Sequence, residues 1–179
     1  MVVAIIGVLA VLAIIGVRKY VANAKSAEAR NAIGQMAKDA VMAYARDSIS
    51  GTLLATGAVS NGAQKFCQSA SASVPPTMVP VTAHKYQSAA SDWNADSGTA
   101  GKGFACLKFS LEEPQYYQYS YTATTGNTTG ATVGDTFIAS AQGDVDGNGV
   151  TSLFQIEGQI NGGYLLSTSP QILEVRPDE

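Results

Sequence analysis

The residue types that could bind a metal ion are concentrated in one glycine-rich segment, residues 143–152. Asp144, Asp146 and Asn148 occupy alternate positions, which is the spacing of the first three oxygen ligands in an EF-hand-type calcium loop. The candidate ligands are Asp144, Asp146, Asn148, the backbone carbonyl of Val150 and, through a water molecule, Ser152. Gln155 stands where such a loop has a bidentate Glu, so the expected affinity is lower. A hairpin with Asp-Gly and Asn-Gly turn chemistry fits the same residues, and the sequence leaves both possibilities open.

The remaining candidates for chemistry are two cysteines, Cys67 and Cys106, and a single histidine, His84. The cysteines lack the short paired spacing of a zinc site, and His84 offers no matching ligand pattern. In a protein that leaves the cytoplasm, an isolated pair forms a disulfide more often than it remains as two buried thiols. Such a bond would stabilise the fold by roughly 3–4 kcal/mol in the chain-entropy model. We see no nucleophile–base set, phosphate loop or paired-carboxylate cleft, and therefore expect no enzyme.

The overall net charge of −3 is unevenly distributed along the chain. Residues 1–47 contain six basic and three acidic residues, whereas the rest of the chain contains five basic and eleven acidic residues. This asymmetry is typical of a basic, membrane-proximal stem followed by an acidic soluble head. Because the basic residues of the head are few and scattered, no specific nucleic-acid site is evident.

The chain begins with an entirely apolar run, residues 1–17, which contains no charge, hydroxyl or side-chain amide. As a helix it would be about 26 Å long, slightly short of a bilayer core of about 30 Å. A cleaved signal peptide has basic residues before its apolar core, whereas here Arg18 and Lys19 follow it. We therefore expect the run to be retained.

An amphipathic helix continues this run to about Ser48–Gly51. Apolar residues at spacings of three and four form one face; they are Ile33, Met36, Ala37, Ala40, Val41 and Tyr44. The expected result is one helix of nearly 50 residues, with an apolar half at 1–20 and an amphipathic half at 21–48 that covers a sheet.

Residues 49–105 are rich in Ser, Ala, Gly and Thr and are interrupted by prolines, which predicts a loop region between helix and sheet. Trp93 is interpreted as a buried anchor rather than a binding platform, and His84 as a surface residue.

Residues 106–179 are predicted to form an antiparallel sheet with short turns, giving an α+β fold. The predicted strands are 105–111, 116–122, 136–141, 152–156, 163–166 and 172–175, and 126–130 is a predicted turn. Alternation in the first of them would place Leu107, Phe109 and Leu111 on one face.

The N-terminal helix resembles that of bacterial type IV pilins and of their relatives, the pseudopilins of type II secretion. The resemblance covers about the first 30 residues and is carried by Val3–Ala10, Ala13–Ile14, Tyr20–Ala22 and Ser26–Ala29. It implies the type IV pilin fold, with the apolar half of the helix protruding from the head. Family members begin with a methylated Phe, followed by Thr-Leu, an acidic residue and Leu. We expect a segment of this kind, about seven residues long, to precede Met1 and to complete a membrane span.

The resemblance implies a type IVa-like major pilin, the structural subunit of a retractable surface filament used in twitching motility and cell adhesion. The expected partners are copies of the same chain in a helical homopolymer, the inner membrane before assembly, and the pilus assembly machinery. No cofactor is required, although Ca²⁺ is possible. The alternative is a major pseudopilin of a type II secretion system. The residues expected to pack in the filament core are Val2, Ile5, Ile6, Leu9, Leu12 and Ile14.

One departure from the family concerns its usual helix-breaking proline, which is replaced by Ile15. In assembled pili the helix loses hydrogen bonding near that proline. Here Gly7 and Gly16 are the available helix breakers, each costing about 1 kcal/mol of helix stability relative to Ala. We expect them to limit a locally melted segment in the filament.

Overall fold

The computed structural model describes residues 2–46, 64–124 and 132–179. It contains one long N-terminal helix, α1 (Val2–Ala45), packed on a five-stranded antiparallel sheet. The expected α+β layout is therefore confirmed. The predicted end of the helix at Ser48–Gly51 and the predicted turn at 126–130 lie outside the described residues.

The sheet is built from β1 (Gln118–Ala123), β2 (Thr136–Gly143), β3 (Ser152–Asn161), β4 (Leu165–Thr168) and β5 (Leu173–Val175). The strand order is β1-β2-β3-β4, and β5 pairs with another part of β3. All of these pairings are antiparallel. Apart from the segment at 105–111, each predicted strand overlaps an observed one. The predicted meander is confirmed for β1 to β4, whereas β5 departs from it, because it pairs with β3 and not with β4.

The second half of α1 supplies one side of the hydrophobic core. Ile33 and Met36 are completely buried, and Ala40 and Tyr44 are nearly so; Val41 is only half-buried. This face packs mainly on β2 and β3, where alternate residues such as Phe137 and Phe154 point inwards and are also completely buried. The 3.6-residue period of the helix and the two-residue period of the strands thus meet in one apolar layer.

Between helix and sheet lie three short helical segments: a 3-10 turn at Val79–Val81, α2 (Ala90–Trp93) and α3 (Gly103–Leu107). Trp93 is buried, with ring centroids 5.0 Å from Phe104 and 5.3 Å from Phe109, and its indole N–H donates to Ser88 Oγ at 2.9 Å. The anchor interpretation is therefore confirmed. His84 is exposed, as expected.

The strand predicted at 105–111 is wrong. Residues 103–107 form α3, which ends at Lys108 in the left-handed conformation with φ 64°. Leu107 and Phe109 are both buried, but Leu107 belongs to the last turn of a helix and Phe109 to the chain that leaves it. The alternation was therefore produced by a helix end rather than by a strand.

Candidate functional site

The first half of α1 is an apolar surface that no other described part of the chain covers. Every residue from Val2 to Val17 is exposed, and the large side chains are between 56% (Ile14) and 83% (Val3) accessible. By length and composition α1 is apolar enough to cross a membrane. A continuous apolar surface of this size is characteristic of a site that binds lipid or protein. We call residues 2–17 the stem and the described residues from 26 onwards the head; residues 18–25 of α1 connect the two.

The predicted filament-core residues lie on more than one side of the stem. Val2, Ile5, Leu9 and Leu12 follow one face at spacings of three and four, and Ile6 lies beside them. Ile14 lies on a different side, where other large apolar residues are also exposed. The stem can therefore make apolar contacts in several directions at once, as it would inside a bilayer or a bundle of helices.

Gly7 and Gly16 lie inside the continuous helix. A Cβ atom added at either position would meet nothing within 4 Å, so neither glycine is needed for packing inside this subunit. Their predicted role concerns the assembled filament and stays a prediction.

One carboxylate of α1, that of Glu28, contacts the chain at the start of β1. Its Oε1 accepts hydrogen bonds from the Tyr116 backbone N–H at 2.9 Å and from the Tyr119 hydroxyl at 3.1 Å. Burial raises the pKa of Glu28, although these two hydrogen bonds and Lys85 act in the opposite direction. The sequence contained a signal for this site, because Glu28 lies in line with the buried Ala32 and Met36 at spacings of four.

Two further polar contacts hold α1 against the C-terminal strands. The Arg30 guanidinium donates to both carboxylate oxygens of Glu174, at 2.7 and 3.0 Å, and it holds the pKa of Glu174 below its usual value. Near the other end of the head, the Tyr44 hydroxyl donates to the Tyr164 carbonyl at 2.9 Å. Sequence reasoning missed both contacts, since their partners are 144 and 120 positions apart.

Cys67 and Cys106 form the predicted disulfide, which is confirmed. The bond joins the segment that follows the undescribed residues 47–63 to α3. The same region is tied to the end of α1, because the Arg46 guanidinium donates to the Cys106 carbonyl at 3.2 Å. The disulfide therefore stabilises the loop region where it covers the helix.

The predicted calcium loop connects β2 to β3, and three of its candidate ligands form hydrogen bonds within the loop. The buried Asp144 carboxylate accepts backbone N–H groups from Gly147 at 2.8 Å and Gly149 at 3.1 Å. Asp146 accepts both the backbone N–H and the side-chain amide of Asn148. Gly149 has φ 86°, which provides the sharp bend expected at that position.

The other candidate ligands are placed differently. The Asn148 Oδ1 atom, a candidate ligand oxygen, already accepts the N–H of Val150 at 2.6 Å. Ser152 is buried in β3, and its hydroxyl donates to the Gly143 carbonyl. Gln155 is paired within the sheet with Ser140. Among the described residues, no group of three His, Cys, Asp or Glu side chains is placed to hold a metal ion. Calcium binding would therefore need Asn148 and backbone carbonyls in addition to Asp144 and Asp146, and it stays a prediction.

A scan against protein-family models and searches of curated proteins and of solved structures found no match for this chain. Functional inference therefore depends on the exposed stem, the way the head holds it, and the loop between β2 and β3.

Proposed function

We propose that this chain is the structural subunit of a type IV pilus, which polymerises through its N-terminal helix into a retractable surface filament. The observation that carries the proposal is the stem, a helix exposed on all sides from Val2 to Val17 and continuous with a helix buried in the head. The type IV pilin fold, surface localisation and roles in motility and adhesion are parts of the same proposal. An inner-membrane pool would precede assembly by the pilus machinery.

The stem requires two successive environments. Before assembly the bilayer covers its apolar side chains, since burial of one large side chain away from water contributes about 1.5–3 kcal/mol. In a filament, stems of neighbouring copies replace the lipid. Because lipid tails are as apolar as the side chains, this exchange depends on close helix packing rather than on escape from water. Residues such as Ala4, Ala10 and Ala13 on the stem allow such close approach.

The head fits the role of a rigid filament surface. Its amphipathic helix half, antiparallel sheet and disulfide form one connected core. The Arg30–Glu174 pair and the Glu28 contacts fix the direction in which the stem leaves this core. A fixed exit direction is necessary if identical copies are to pack in a regular helix.

The proposal is tested by shearing surface filaments from producing cells. We expect electron microscopy to show thin filaments, with mass spectrometry identifying this chain as their main subunit. Deletion of the coding sequence should remove the filaments and abolish twitching motility.

The second candidate is a major pseudopilin of a type II secretion system. The feature that favours it is the Asp144–Asn148 loop, since a calcium-loaded loop near the C-terminus is expected in that class. If the chain is found only in the cell envelope, and its deletion abolishes protein secretion without loss of surface filaments, the pseudopilin function replaces the pilus function.

A further inference from the structure

We propose that a groove between α1 and the base of the head is a docking site for the basic segment Arg18–Tyr20 of a second copy of this chain. This inference rests on the proposed filament, in which copies lie stem against stem. The inference adds a specific contact between copies outside the stem, with the groove as one surface and the basic segment as the other.

The groove has a volume of about 600 Å³ and lies where α1 leaves the head. Val17, Val21 and Ala22 form its helical wall, and Val145 of the β2–β3 loop forms part of the opposite wall. These residues continue the apolar surface of the stem up to the head. A helix that packed on the stem of this copy would therefore meet the groove directly.

The head side of the groove carries three carboxylates, those of Asp146, Asp178 and Glu179. In the described part of the chain, the ion pairs within 4 Å are Arg30–Glu174 and Lys102–Asp96, so none of the three carboxylates is paired with a cation at that distance. Their described hydrogen bonds are instead with Asn148, which contacts both Asp146 and Glu179. With respect to the described side chains, this acidic rim can therefore accept a basic partner.

The groove's own lysines only partly balance the acidic rim. Lys19 and Lys25 line the helical side, but the Lys25 ammonium is already placed 4.8 Å from the centroid of the Tyr116 ring and 3.5 Å from the Val145 carbonyl. Three carboxylates face these two lysines. An acidic head of another copy would be repelled by the rim, whereas a basic apolar segment is attracted.

The chain itself contains such a segment. Arg18 and Lys19 follow the apolar stem directly, Lys19 is exposed, and Tyr20 is 75% accessible. Neighbouring Val17 and Val21 would match the apolar wall. The segment is also part of the helical wall of its own groove, since Val17, Lys19 and Val21 line it. In the proposed filament, where the stems are parallel, the rim of one copy contacts the segment of the next, and the contact is repeated from copy to copy without closing a dimer.

The experiment is cysteine cross-linking in cells that produce two differently tagged forms of the full chain. One form carries Lys19→Cys and the other Asp178→Cys; the described native cysteines are already joined to each other. After mild oxidation, we expect a dimer that contains both tags. In the matched control, Lys38→Cys replaces Lys19→Cys. Lys38 is also an exposed lysine of α1, but it lies about 28 Å further along the helix, so the two-tag dimer should be lost.

Each outcome decides between alternatives. Absence of the two-tag dimer, equal yield from the Lys38→Cys control, or capture of Asp178→Cys by a different protein overturns the docking inference. Cells that carry normal filaments but yield no dimer retain the pilus function and refute the groove. Cells without filaments that still yield the dimer retain the docking contact and refute the pilus function.

Discussion

Replacing Leu9 by Asp should abolish filament assembly while leaving the head folded. Leu9 is 59% exposed and lies in a stretch of α1 that no other described element covers. The substitution therefore removes no intramolecular contact. It changes only the interaction of the stem with lipid or with neighbouring stems.

The size of the effect follows from the environment that the side chain must enter. On an insertion scale Leu contributes about −0.5 kcal/mol at a helix centre and Asp roughly +3 kcal/mol, so insertion is disfavoured by about 3.5 kcal/mol. That difference lowers an equilibrium constant several-hundred-fold at about 1.4 kcal/mol per tenfold. By contrast, the free energy of unfolding of the head should change by less than about 0.5 kcal/mol.

Three measurements separate these effects. Filament yield after shearing measures assembly, the amount of protein in the membrane fraction measures insertion, and thermal unfolding in detergent measures the stability of the head. We expect no filaments and an unchanged melting temperature from Leu9→Asp, and from Ile14→Asp on a different side of the stem. Leu9→Ile, which keeps the apolar volume, is the matched control and should assemble. Normal filaments from either Asp variant would refute the division between stem and head.

Three further predictions concern the head. Replacing both Cys67 and Cys106 by Ser should lower the free energy of unfolding by about 4 kcal/mol, given their separation of 39 positions; urea titration measures this, and an unchanged midpoint would contradict it. Since burial raises the pKa of Glu28, the folded state binds its proton more tightly than the unfolded state. This contribution to stability is full below the unfolded pKa and is lost as the pH rises through the folded pKa. Glu28→Gln should therefore melt higher than the parent near pH 7 and nearly equally near pH 4, and a constant difference would exclude titration of Glu28 as the cause. If the β2–β3 loop binds calcium, a hundredfold excess over Kd should stabilise the parent by about 2.7 kcal/mol relative to chelator, and Asp146→Ala should lose that increment; equal calorimetric melting in calcium and chelator would identify an ordinary turn.

The main architecture could be predicted because it depends on periodic local patterns. The stripe from Ile33 to Tyr44 has helical spacing, and Thr136–Ala141 alternates as a half-buried strand does. Both patterns reflect one apolar core, so both were found in the structure. The disulfide was equally accessible, since the described chain contains a single pair of cysteines to be joined.

Two kinds of structural feature could not be predicted from periodic patterns in the sequence. A helix as short as α3 has no room for a periodic signal, and its stop at Lys108 depends on a left-handed backbone at a residue other than glycine. Long-range polar contacts form the second kind. Arg30 and Glu174 are ordinary surface charges in the sequence, and only the placement of β5 beside β3 brings them together.

The boundary between stem and head shows why one helix can serve two environments. From Ser26 onwards, polar residues alternate with the buried face that contains Ala29 and Ile33, so the fold itself provides the apolar surroundings. Before Val17 no polar face exists, and the side chains must find those surroundings outside the subunit. The hydrogen-bonded backbone is continuous across both parts, so stem and head form one helix. Their apolar side chains are nevertheless buried by different partners, and the two contributions to free energy can be changed separately. Apolar-to-charged substitutions in the stem should therefore act on assembly, whereas the same substitutions on the buried face of the head should act on folding.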